Sequence, residues 1–173
     1  MAALTASREV DHFVDQELRS FKVAAAKKIF KGSFVGLDSN GFAQPLIAGN
    51  SFAGLSFEEV DNAVGADGDK SVRLYTVGDF VLTVTGVTQA KVGDAVFASD
   101  DGTATLTGAS NSFIGHVEDF SGSGSAIVRL ATQPDPAATI ADPTGGATVD
   151  AEARTAIDSI LLVLENNGLT KSA

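Results

Sequence analysis

The hydrophobic pattern changes character twice along the chain. In residues 1–20 the apolar side chains Val10, Phe13, Val14 and Leu18, continued by Phe21, fall at helical spacing behind a cap candidate at Ser7. From Phe21 the period shortens to alternation. Phe21 and Val23 flank Lys22, and Ile29, Phe34, Val35 and Leu37 lead into Asp38-Ser39-Asn40-Gly41. Asn-Gly is the strongest short hairpin signal, because both residues accept positive φ. Val72, Leu74, Val77, Phe80, Leu82, Val84 and Val87 supply further strands rich in β-branched and aromatic residues. Asp100-Asp101-Gly102 marks another hairpin, and SGSGS at residues 121–125 marks a third before a last strand at 126–130. Short strands roughly ten residues apart, with turn signals between them, predict an all-β body, a small barrel or sandwich.

Beyond Leu130 the pattern changes again. Residues 131–148 (ATQPDPAATIADPTGGAT) hold three of the four prolines and read as a linker, extended by proline and freed by Gly145-Gly146. Ala153, Ile157, Ile160, Leu161 and Leu164 then form the apolar stripe of a helix over 149–169. Thr148 or Asp150 caps its start, and Asn167-Gly168 ends it with Leu169 folded back on Leu164. Residues 160–164 are apolar all round, and a lone helix of this length is marginal in water. It therefore needs a partner, either the barrel or copies of itself, and the flexible linker favours self-association or another chain. Ile157, Ile160, Leu161 and Leu164 are the candidate oligomer contacts. The expected organisation is an arm (1–20), a β body (21–130), the linker (131–148) and the helix (149–169).

One stretch occurs twice. Gly32, Val35, Gly41, Ala43, Ala48, Asn50, Ser51, Phe52 and Gly54 match Gly93, Val96, Gly102, Ala104, Ala109, Asn111, Ser112, Phe113 and Gly115 at a constant offset of 61 residues. Val72-Arg73-Leu74 returns as Val128-Arg129-Leu130 at an offset of 56, so the second copy has the shorter connection. Such self-similarity implies one supersecondary unit used twice, each too small to bury its apolar face alone. Gly54 and Gly115 are expected where the backbone bends or approaches another strand closely. Phe52 and Phe113 are expected as paired core residues.

Composition narrows the class. The 173 residues are 44% hydrophobic and 20% charged, which is globular and large enough for a real core. Cysteine is absent, removing disulfides, thiolate nucleophiles and cysteine-ligated metals. Arg8, Glu9 and Asp11 interrupt any signal-peptide core, and the longest apolar run, 160–164, is far short of a membrane span. A soluble product of the cell interior with no membrane partner is expected. The net charge of −10 argues against a nucleic-acid coat. Residues 1–31 nevertheless carry six basic against four acidic side chains, a mildly basic arm on an acidic body. That distribution suggests docking to an acidic protein surface, but taken alone it reads rather as ordinary solvated charge.

Candidate chemistry is sparse. His12 and His116 lack the serine and aspartate context of a triad. Glu58, Glu59 and Asp61, then Asp67 and Asp69, then Asp100 and Asp101 form acidic groups, but AVGADGDKSV lacks the alternating ligands of a calcium loop. Carbohydrate cleavage needs an aromatic platform, and the chain has no Trp and one Tyr. GSGS is followed by no Lys-Ser/Thr, as a phosphate loop requires. No cofactor, metal or catalytic residue is expected. These residues describe a binding or structural protein rather than an enzyme.

Residues 2–43 (AALTASRE…SFKVAAAKKIFKGSFVGLDSNGFA) resemble the opening of tailed-bacteriophage capsid decoration, or cement, proteins. The shared features are an LTA-x-R start, a V-x-A strand, an I-x-x-G-x-x-V hairpin and a turn ending in Gly. GLSFEEVDNAVGADGDKSVRLYTVGDFVL is similar to the family's middle loop and strand, and DAEARTAIDSILLVLENNGL resembles a helix appended to phage head proteins. The resemblance spans residues 1–130. It implies a β-barrel body on the exterior of a phage head, commonly a homotrimer clamping the major capsid protein, made in the host cytoplasm. It also implies that residues 1–21 are an arm reaching along the capsid, with Leu4, Arg8, Val10, Phe13, Val14, Leu18 and Phe21 as contacts. From the residues alone the segment reads equally as such an arm or as a helix covering the body's own core. Alternatives from other classes are a head-fibre module binding a receptor or glycan, and a small carbohydrate-active enzyme.

Overall fold

The computed structural model describes residues 18–108, 110–132 and the helix of residues 151–166. The expected arm up to residue 17, the linker beyond residue 132 and the Asn167-Gly168 helix end lie outside the described residues.

The alternating stretch folds into strands β1 (Leu18–Lys22), β2 (Lys27–Ile29), β3 (Phe34–Leu37), β4 (Ala43–Pro45), β5 (Phe52–Ser56) and β6 (Val60–Asn62). They are followed by β7 (Ser71–Tyr75), β8 (Val77–Thr85), a 3-10 turn (Gln89–Lys91), β9 (Ala95–Ala98), β10 (Ala104–Thr105), β11 (Ser112–Gly122) and β12 (Ser125–Ala131). The helix α1 spans Ala151–Asn166. The protein is all-β with a C-terminal helix, as the period-2 and period-3.6 stretches predict.

The sequence repeat is a structural repeat. Shifting β3 and β4 by 61 residues lands on β9 and β10, and β5 lands on the first half of β11. The sheet orders correspond as well: β1-β7-β5-β3-β4 in the first unit, β8-β12-β11-β9-β10 in the second. Each unit therefore begins one strand earlier than the matching residues show. In the second unit β10 pairs in parallel with β8, through Ala104 with Val84 and Thr105 with Thr85, closing a five-stranded barrel. In the first unit a single parallel bridge, Val23 with Ala43, occupies the same place 61 residues earlier. Ala24 N–H donates to the Ala43 carbonyl there at 2.9 Å. β8 runs nine residues and β1 five, so the longer strand gives the closing edge a second ladder position.

The shorter second connection is a tight hairpin. Ser123 and Gly124 join β11 to β12 with φ of 52° and 77°, the backbone of a two-residue primed turn. In the first unit residues 57–70 fill the gap, and β6 within them pairs with β2. The Asn-Gly hairpin forms, but not as the two-residue turn its dipeptide suggests. Gly41 takes φ of 82° while Asn40 does not go positive, and the loop is closed by Asp38 N–H to the Phe42 carbonyl at 2.9 Å. Asp38 Oδ1 accepts the N–H groups of Asn40 and Phe42, an Asx cap that outweighs the preference of Asn for positive φ.

The cores follow the repeat. Val23, Val35, Ala43, Ala53, Val72 and Leu74 fill the first unit, with Phe21 packed against them. Val84, Val96, Ala104, Ile114, Val128 and Leu130 stand at the equivalent places in the second. The alternate side chains of the first unit, Phe34, Phe52 and Leu55, join the second unit's cluster instead. All five residues of β5 are consequently buried, one face in each core. Phe52 and Phe113 are both buried, but they do not pair with each other. Phe52 meets Phe34 edge-on at 6.2 Å, and Phe113 meets Phe97 at 5.8 Å. Opposite Phe52 in register is Gly36, so its aromatic partner comes from the diagonal; Phe97 lies directly opposite Phe113.

Candidate interaction surfaces

The acidic groups singled out in the sequence are held apart by the fold and engaged locally. Glu58 grips Arg73 with both oxygens, at 2.9 Å from Nε and 2.8 Å from Nη2. The guanidinium holds the Glu58 carboxyl below its usual range, and Arg73 also lies 4.7 Å over the Phe57 ring. Lys28 bridges Glu59 at 2.9 Å and Asp61 at 3.8 Å, and the hydrogen bond to Glu59 raises its pKa. Asp67 Oδ1 accepts Ala25 N–H at 2.6 Å, and Asp69 Oδ2 accepts Ala66 N–H at 2.7 Å. Asp100 caps its turn through the N–H groups of Gly102 and Thr103, and these donors depress its pKa. On β8 and β12 Asp79 meets Arg129 at 2.9 Å, with Glu118 at 3.3 Å on the same guanidinium. Among the described residues no three His, Asp or Glu side chains converge into a metal cluster.

Of the seven expected capsid contacts, Leu4, Arg8, Val10, Phe13 and Val14 lie outside the described residues. Leu18 and Phe21 belong to β1, paired in register with Tyr75 and Val72. The first strand thus starts at Leu18, inside the stretch expected as arm. Phe21 is partly buried against the first unit's core, so it serves the fold.

The four expected oligomer contacts divide. Leu161 is buried at 7% exposure, whereas Ile157 and Ile160 are 44% and 60% exposed. Leu164 is half-buried. Leu162 and Val163 add further exposed apolar surface, so α1 presents hydrophobic side chains around most of its circumference. That is unusual for a solvated helix and normal for one that packs against another chain. No described helix is long and apolar enough to cross a membrane.

Two features escaped the sequence. Asn62 is fully buried, and its amide donates to the carbonyls of Ala24 and Ala66 at 3.0 Å and of Val23 at 3.4 Å. It pins the 61–69 loop to the first unit. Its position in a polar run gave no sign of burial. The second is a cleft of about 390 Å³ on the second unit, bounded by Lys91, Asp94, Ala95, Phe97, Leu106 and His116. Lys91 and Asp94 pair across its rim at 3.1 Å. His116 stands edge-on to Phe113 at 5.0 Å, and Phe113 in turn to Phe97, so three rings back one wall. Only the repeat could have located it, because Ala95 and His116 replace the bulky Phe34 and Leu55 of the first unit.

No protein-family model, no curated protein and no solved structure matches this chain.

Proposed function

We propose that this protein is a structural virion component that binds the exterior of a phage head and cements the lattice of its major capsid protein, acting as a homotrimer. The observation that carries the reading is how the polar groups are engaged. In the body that resembles the decoration proteins, Glu58, Glu59, Asp67, Asp69 and Asp100, acids the sequence offered for chemistry, each hold a turn or an ion pair. What remains for function is surface, above all the apolar girdle of α1. Cementing asks for that: many copies, each burying modest area, bound together by avidity. The paired β units supply a spacer on the shell, while arm and helix supply contacts.

The test is to mix purified protein with undecorated heads and measure bound copies per capsid and the capsid's resistance to heat. Saturating, stoichiometric binding with a raised disruption temperature is expected. Heads that stay bare at saturating protein would end this reading. A glycan array run on the same preparation addresses display of a receptor-binding module instead.

A further inference from the structure

The two units contact each other through non-equivalent surfaces, and among the described residues each unit keeps one half of that contact open. On the first unit, the start of β3 receives the β9–β10 turn of the second. Phe34 N–H donates to the Asp101 carbonyl at 2.8 Å, and Ile47 forms an antiparallel bridge with Asp100. Ser112 Oγ donates to the Ile47 carbonyl at 3.3 Å and completes the seat. Beside this seat Phe34 and Leu55, only 4% and 8% exposed, pack into the second unit's core.

The repeat gives each half a counterpart 61 residues away. Phe34, Gly36, Pro45 and Leu55 correspond to Ala95, Phe97, Leu106 and His116, which are the walls of the open cleft. Asp100 and Asp101 correspond to Ser39 and Asn40, at the exposed tip of the β3–β4 hairpin. The receiving surface is therefore filled on the first unit and open on the second. Among the described residues the inserting turn is used on the second unit and exposed on the first.

We infer that the cleft of the second unit receives the β3–β4 turn, residues 39–41, of a second copy of this chain. The same backbone relation then passes from unit to unit across the chain boundary. A contact between different surfaces of identical chains is heterologous, so it closes into a ring or runs on as a filament. The side chains are adapted to the exchange. Where the first unit has the buried Leu55 and the exposed Phe30, the cleft carries His116 and Lys91, polar groups suited to a Ser-Asn turn with Asp38 at its base. Ala95 in place of Phe34 leaves the room the turn needs. This inference does not rest on capsid binding, since both surfaces belong to the free chain.

The chain has no cysteine, so introduced thiols report the contact directly. Purified Asn40→Cys and Ala95→Cys proteins are mixed at increasing concentration, oxidised, and separated without reductant. Ile47→Cys/Asp100→Cys, which spans the internal seat, serves as the geometric positive control. Val64→Cys, a fully exposed position elsewhere, replaces Asn40→Cys as the negative control. A reductant-sensitive heterodimer from Asn40→Cys with Ala95→Cys, absent with Val64→Cys, is expected. The Asn40→Cys/Ala95→Cys double variant should give closed or laddered species at multiples of 17.6 kDa. Light scattering of Ala95→Trp, which fills the cleft, should show loss of the oligomer. No heterodimer up to the solubility limit, or one equally strong with Val64→Cys, overturns the inference. So does an Ala95→Trp protein that stays folded and keeps its full oligomeric mass. Because no heads are present, these results are independent of whether capsids bind.

Discussion

Gly54 and Gly115, at equivalent places in the two units, share an unusual backbone, with φ of 147° and 155°. Each marks a shift of register, next to Val35 in β3 and Val96 in β9. At both, a Cβ atom would run into a backbone carbonyl of the adjacent strand, that of Tyr75 or Arg129. Glycine is required here twice over, by the dihedral and by the space. Gly54→Ala and Gly115→Ala should each cost roughly 2–4 kcal/mol, more than strain alone because the sheet must also spread. Gly32→Ala, at φ of 78° with open space around it, should cost only about 1–2 kcal/mol. Denaturant midpoints of the three variants check the order.

The buried amide of Asn62 offers a second test. Asn62→Ala removes the donor shared by three carbonyls and leaves them facing a small void. A loss of about 2–4 kcal/mol is expected. Hydrogen exchange should show the 61–69 loop opening before the barrel does. A variant as stable as the parent would mean that water replaces the amide without penalty.

Stability should fall with acid for stated reasons. Glu58 is held below its usual value of 4.5 by Arg73, and Asp79 and Asp100 below 3.8 by Arg129 and by the turn N–H groups. A carboxyl with a depressed folded-state pKa binds its proton less readily folded than unfolded. Its stabilisation is complete above the unfolded value and disappears as pH falls through the folded one. The melting temperature should therefore hold from neutral pH down to about pH 5 and drop below about pH 4.5. All three carboxyls are largely solvated, so each step is small. Glu58→Gln should lower the neutral-pH melting temperature slightly and flatten the acid limb.

The helix should respond position by position. Ile157→Ser and Ile160→Ser change exposed side chains, so the unfolding of the barrel should stay within about 0.5 kcal/mol of the parent. Leu161→Ala, at the buried position, should cost about 2 kcal/mol or more. If Ile157 and Ile160 contact another chain, their serine variants should reduce oligomer mass while leaving the barrel's melting curve in place. Truncation after Thr132, which spares β12, measures the contribution of linker and helix to assembly.

Removal of residues 1–17 spares β1, which pairs with β7 along its full length from Leu18 to Lys22. The shortened protein should fold, with an unchanged near-ultraviolet spectrum, yet lose binding to heads. Retained binding would assign the capsid contact to the barrels or the helix.

The sequence by itself determined the local devices and their duplication. Asp38-Ser39-Asn40-Gly41 and Asp100-Asp101-Gly102 announced turns, which the structure closes with the two aspartate carboxylates on nearby N–H groups. Gly54 and Gly115 announced a bend or a close approach of strands, which the structure makes register shifts, and the offset of 61 tied the two units together. Apolar alternation gave the inward faces of both units, since burial on a pleated strand repeats every second residue. Tertiary structure decided the rest. Closure depends on Val84 reaching Ala104 and Val23 reaching Ala43, parallel contacts between segments some 20 residues apart that leave no periodic trace. It also decided that Phe34 would be covered by the second unit while the equivalent Ala95 borders an open cleft. An outward apolar residue reads the same in sequence whether its cover is in the same chain or another. Only packing in three dimensions shows which face is taken and which is left open.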